Sequence, residues 1–118
     1  MKLIRSFTYA WAGIRYCFRS ESNFRIHIIA SIAACIFSLL FSISATEWIA
    51  VCFCMAFVMA MEMINTVVEK LCDIVQKEIH PEIKKVKDMA AGAVLVSAVF
   101  SVVTACIIFL PKILMYLK

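Results

Sequence analysis

Two glutamates, an asparagine, a threonine and an aspartate stand at helical spacing at the end of a long apolar run, in Met61–Asp73, MEMINTVVEKLCD. At about 100° per residue, Glu62, Asn65, Thr66, Glu69 and Asp73 share a wedge of about 100°. Met63, Ile64, Val67, Val68 and Leu71 fill the other side. An ionisable stripe on a helix otherwise fit for lipid is costly, so it marks a place where polar atoms are needed. Carboxylates bind Mg2+, which prefers oxygen ligands shared with phosphate; Glu69 and Glu21 are the candidates. Glu62 is the more shielded from water, and a partly desolvated carboxylate beside a metal can take a proton from an alcohol. Lys87 can meet a phosphate chain. Metal, base and cation together are the parts of a phosphoryl-transfer site. The same stripe also suits interhelical hydrogen bonding in an oligomer, or a path for protons or cations. No Gly-rich phosphate loop is present: Gly13 and Gly92 are isolated, so phosphate must be held by metal and cations alone.

The elements that position these groups follow from composition. The 118 residues are 64% hydrophobic and 17% charged, with a mean hydropathy of +0.96. A chain this short has too little interior to hide such a surplus from water, which makes membrane residence the economical reading. Gly 2 and Pro 2 leave few breaks, so the chain reads as one all-α integral membrane domain over residues 1–118. Residues 1–20 form an amphipathic surface helix, with Leu3, Phe7, Ala10, Trp11 and Ile14 at helical spacing and Arg5, Arg15 and Arg19 as cations. Ser20 is a plausible cap for the next helix, and Glu21 and Arg25 stand one turn apart, where they can pair. Membrane helices are expected over about residues 26–46, 48–70 and 84–111, with Pro81 starting a new helix. The small residues Ala90, Ala91, Gly92 and Ala93 suit close helix packing. Glu62 lies about 21 Å along the helix from Trp48, near the edge of the hydrocarbon, with Glu69 about 10 Å further.

Charge gives the orientation. Lys2, Arg5, Arg15, Arg19 and Arg25 precede the first span, and Lys70, Lys77, Lys84, Lys85 and Lys87 lie between the second and third. Lys112 and Lys118 follow the third, and the turn between the first two spans has no cation. The N-terminus and the 70–88 connection are therefore expected in the cytoplasm and the C-terminus outside. No cleavable signal is expected, because the N-terminal stretch alternates Arg with aromatics. The six cysteines read as reduced small hydrophobes, since no CxxC pair or Cys/His cluster occurs. His27 reads as an interfacial contact, Glu47 as a solvated turn residue, and Met55, Met59, Met61 and Met63 as packing.

Taken in order, these residues resemble the small prokaryotic diacylglycerol kinase family, which includes undecaprenol kinases. The likeness covers about residues 2–114. It rests on Glu62-Met-Ile-Asn65-Thr-Val-Val-Glu69-Lys-Leu-Cys-Asp73, on Lys87-Asp88 followed by Ala93-Val94, and upstream on Tyr9-Ala-Trp11-Ala-Gly13 and Glu21-Ser-Asn-Phe24-Arg25. The resemblance implies a homotrimer in the cytoplasmic membrane, with active sites shared between subunits. It also implies transfer of a phosphoryl group from Mg-ATP to a lipid alcohol. Glu62 matches the general base, Glu21 and Glu69 the carboxylates that hold the metal, and Asn65 the polar partner one turn from the base. Asp73 closes the motif as a supporting residue. Lys87, Asp88, Tyr9, Glu78 and His80 match nucleotide-contacting positions, with Ile79 where the family often carries an aromatic. Asn23-Phe-Arg-Ile-His27, Glu47-Trp48 and Ile108-Phe-Leu-Pro-Lys112 look more like the undecaprenol kinase branch, with diacylglycerol as the close alternative. A small proton-coupled transporter is the alternative of a different class; it needs a charged group reachable from both sides, whereas these acids cluster on one side.

Overall fold

The computed structural model describes residues 1–75, 78 and 80–118. Lys77 and Ile79, named above as a cation and as the replacement for an aromatic, lie outside the described residues. Four helices follow in order: α1 Lys2–Ser20, α2 Ser22–Leu40, α3 Ala45–Val75 and α4 Pro81–Leu117. The last three are long and apolar enough to cross a membrane. α1 is exposed along its length except at Cys17, and Leu3, Phe7 and Trp11 on its apolar face are among the exposed side chains. That is the pattern of a helix that lies on a bilayer.

The break between α1 and α2 is a single residue. Glu21 is extended, at φ −114 and ψ 110, and its N–H donates to Cys17 O. Ser20 does not cap α2; it is the last residue of α1, and its hydroxyl donates back to Tyr16 O at 2.6 Å. Nor does Arg25 pair with Glu21. Its Nη1 donates to Phe18 O at 2.9 Å and Arg19 O at 3.0 Å. The guanidinium thus satisfies carbonyls that the end of α1 leaves open, a stronger demand than an exposed ion pair.

α2 ends at Leu40, short of the expected boundary at residue 46. Ser42 turns the chain in the left-handed region, at φ 49, and a capping box then starts α3. Ser44 N donates to Glu47 Oε1 at 2.9 Å, and Glu47 N donates to Ser44 Oγ at 3.2 Å. Glu47 is therefore not merely a solvated turn residue; its other oxygen accepts from Lys112 Nζ at 2.8 Å, tying α4 to this turn. Ser44→Ala removes one half of the box and should destabilise the protein by about 1 kcal/mol in a reversible unfolding titration in detergent.

Beside this turn sits the core. Ile43, Val51 and Ile108 are buried, with Ala34, Trp48, Met55 and Phe109 packed on them. Phe37, Phe41 and Phe109 meet with ring centres 6.2–6.4 Å apart, which joins α2 to α4. α4 runs through Pro111 without ending. The buried hydroxyls of Ser38 and Ser97 donate to Ala34 O and Val94 O, so they cost little in apolar surroundings.

The single chain is a slab. Its extents are 57 × 42 × 21 Å and its radius of gyration is 17.6 Å, against about 13.5 Å for a compact chain of this length. The excess means that much of each membrane helix meets no other part of the chain. Gly92 shows this locally: a Cβ added there meets nothing within 4 Å, so this glycine is not required by close packing inside one chain.

Candidate active site

α3 carries the acidic stripe as one unbroken helix, because nothing between Ala45 and Val75 is Gly or Pro. The wedge predicted from spacing is the buried one: Glu62 is 3% exposed, Asn65 8% and Thr66 3%. Glu69 is half-buried and Asp73 exposed, so the stripe runs from the interior of the chain out toward solvent. The opposite side, with Ile64, Val67 and Leu71, is exposed.

The polar groups of the stripe differ in their partners. Thr66 Oγ1 donates to Glu62 O at 3.1 Å, a bond within the helix that leaves the Glu62 carboxyl untouched. Asn65 Nδ2 donates to Glu69 Oε1 at 3.3 Å, which fixes the amide so that its oxygen faces elsewhere. That oxygen, Oδ1, is buried and has no hydrogen-bond partner among the described residues. His27 from α2 reaches the stripe, its Nε2 3.6 Å from Glu62 Oε2. Glu21, in the α1–α2 break, and Glu69 both lie within electrostatic reach of Glu62. Three elements thus converge on one carboxylate.

The neighbouring cations are engaged within the chain. Lys87 Nζ sits 2.6 Å from Asp73 Oδ1, which clips the start of α4 to the end of the stripe. Lys84 and Asp88 pair at 2.7 Å along α4. Lys70 lies 4.7 Å from the centre of the Tyr16 ring and, with the Ser20 hydroxyl, holds the Tyr16 phenol below its ordinary range. This contact fastens the surface helix to α3 beside the site.

Of the residues singled out from sequence, Glu62, Asn65 and Glu69 share the inner part of the stripe, Glu21 is close enough for its charge to be felt at Glu62 without touching it, and Asp73 and Lys87 meet at the outer end of the stripe. Tyr9 stays apart: it is 72% exposed on α1. Glu78 and His80 are exposed in the connection. His80 has a structural task, since its Nδ1 accepts from Glu82 N and caps α4 ahead of Pro81. Asp88 points to Lys84 rather than to the stripe. The contact that sequence reasoning missed is His27. Its signal was depth: it stands at the last polar position before the uncharged run Ile28–Thr46, level with the end of the run that leads to Glu62.

Among the described residues no three His, Cys, Asp or Glu side chains form a group that could hold a metal ion by themselves. The donor set suits a shared cation instead. Glu69, Glu21 and the unpartnered Asn65 Oδ1 are hard oxygen donors, which fits Mg2+ that takes its remaining oxygens from phosphate and water.

A family model described as prokaryotic diacylglycerol kinase matches residues 8–109. A Bacillus subtilis protein named undecaprenol kinase is 37% identical over 111 residues, covering 94% of this chain and 90% of that protein. A diacylglycerol kinase of Synechocystis sp. is 35% identical over 113 residues, covering 95% of this chain and 65% of that protein. The diacylglycerol kinase of Escherichia coli is 27% identical over 107 residues, covering 91% of this chain and 88% of that protein.

Proposed function

The chain belongs to the prokaryotic diacylglycerol kinase family, and we propose that it transfers the γ-phosphoryl group of ATP to the hydroxyl of a membrane lipid alcohol, undecaprenol before diacylglycerol. It is a membrane-embedded lipid kinase. One observation carries the placement of the chemistry: Glu62 is 3% exposed, on the helix face that also bears Asn65 and Glu69. A carboxylate shielded from water on a membrane helix suits a base that takes a proton from a hydroxyl carried by a lipid.

In this reading the lipid oxygen attacks the γ-phosphorus directly. The new O–P bond forms as the bond to the β,γ-bridging oxygen breaks, the hydroxyl proton passes to Glu62, and ADP leaves. Mg2+ bound with ATP supplies charge neutralisation on the phosphates; Glu69, Glu21 and Asn65 Oδ1 would hold it. Lys87 exchanges Asp73 for a phosphate oxygen, an exchange that costs little because the pair is solvent-exposed. Tyr9, Glu78, His80 and Asp88 complete the nucleotide's surroundings.

The whole chain, 1–118, acts as one domain. The broad apolar faces left open by the slab support a homotrimer in which neighbouring subunits complete each site. The concentration of Lys and Arg before α2 and between α3 and α4 supports a site at the cytoplasmic face of the inner membrane, with the N-terminus inside and the C-terminus outside. The test is transfer of label from radiolabelled ATP in mixed micelles, with undecaprenol and diacylglycerol offered separately. Label should enter undecaprenol at several times its rate into diacylglycerol. The reverse order makes the protein a diacylglycerol kinase, and label in neither, with folded protein and Mg2+ present, removes the kinase reading.

A further inference from the structure

Glu62 needs something to aim it. Its own helix does not: the Thr66 hydroxyl is committed to Glu62 O and the Asn65 amide to Glu69. The acidic charges felt at Glu62, those of Glu21 and Glu69, repel a carboxylate rather than hold it. Among the described residues, the side chain from another helix that approaches the Glu62 carboxyl is His27, its Nε2 3.6 Å away, just beyond hydrogen-bond distance.

His27 also has a second face. It lines a cavity of about 370 Å³ between α2, α3 and α4, whose walls include Ala30, Val51, Val58 and Phe109. The hydroxyls there are already used: Ser31 donates to His27 O, Ser101 to Ser97 O and Thr104 to Phe100 O. The cavity is thus apolar in effect, and its polar end is the imidazole. Glu62 does not line it, whereas His27 both lines it and comes within 3.6 Å of the Glu62 carboxylate.

We propose that His27 is the positioning residue for Glu62: it holds the carboxylate toward the apolar side, so that a hydroxyl borne on a hydrocarbon chain meets it as it passes the ring. The proposal rests on the kinase reading. His27 does not take the proton in this scheme; it acts through Glu62, and its loss therefore lowers kcat without changing how Mg-ATP binds.

Three variants separate this role from packing. His27→Phe keeps a ring and loses the donor, His27→Gln keeps a donor near the place of Nε2, and His27→Ala keeps neither. With lipid and Mg-ATP varied in turn, His27→Phe and His27→Ala should lose about 10–100-fold in kcat, the scale of a misplaced reacting group. KM for Mg-ATP should stay at the wild-type value, and His27→Gln should recover most of the rate. Thermal stability is measured on all three. Wild-type rates in His27→Phe overturn the proposal. So does an equal loss in His27→Phe and His27→Gln that follows lowered stability, which makes His27 a packing residue. A wild-type protein that phosphorylates no lipid removes the kinase reading itself, and the positioning role falls with it.

Discussion

Glu62→Gln should lower kcat for lipid phosphorylation by about 10²–10⁴-fold and leave Mg-ATP binding close to wild type. The substitution keeps the shape of the side chain and removes its capacity to accept a proton. Glu62 is 3% exposed, so bulk water has poor access to take its place as base. The fold should survive, because a buried neutral amide costs less desolvation than a buried carboxylate. The two arms of the measurement are lipid turnover and nucleotide binding by equilibrium titration. Turnover at the wild-type rate removes Glu62 from the chemistry. Loss of nucleotide binding together with turnover moves Glu62 from the lipid side of the site to the nucleotide side.

The reason such a prediction could be framed from sequence is that the stripe is a local pattern. Helical periodicity alone put Glu62, Asn65, Thr66, Glu69 and Asp73 on one face, and burial follows that face. The three membrane helices were legible for the same reason: apolar length is a property of consecutive residues. Their ends were less so. α2 stops at Leu40 because Ser42 adopts a left-handed turn, a conformation that serine does not announce. α1 ends at Ser20, where the pattern of residues 1–20 put it, but Ser20 does not cap α2; Arg25 supplies from the next helix donors to the last carbonyls of α1.

Pairs between distant segments were the hardest to see. Glu47 and Lys112 are 65 residues apart, and neither looks special in its own neighbourhood. Asp73 and Lys87 each fit a motif, yet the motif does not say that they meet. His27 was readable only through its depth relative to Glu62, which requires two helices to be laid side by side before either is known to pack there. The short-range pattern therefore fixes which groups are costly to bury, and the tertiary contacts decide which of them share a charge.

Glu69→Gln should reduce kcat/KM for Mg-ATP by about 10²-fold or more, mainly through KM, while Glu62→Gln acts mainly through kcat. The amide carbonyl that Glu69→Gln introduces can still accept from Asn65 Nδ2, as Glu69 Oε1 does at 3.3 Å. The hydrogen bond and the aim of Asn65 Oδ1 are thus kept, and the variant removes charge alone. Asn65→Leu makes the complementary change: it deletes the unpartnered oxygen and the hydrogen bond while leaving the Glu69 charge. If both residues hold Mg2+ with the nucleotide, each variant should need more Mg2+ at fixed ATP to reach half its maximal rate. A third arm, titration with an ATP analogue in chelator, isolates contacts that do not depend on the cation; there both variants should match the wild type. Equal loss with and without Mg2+ assigns Glu69 to the helix face as a packing or hydrogen-bonding residue. Wild-type Mg2+ dependence in both variants places the cation away from Glu69 and Asn65, with Glu21 in the α1–α2 break and Asp73 at the outer end of the stripe as the next carboxylates to test.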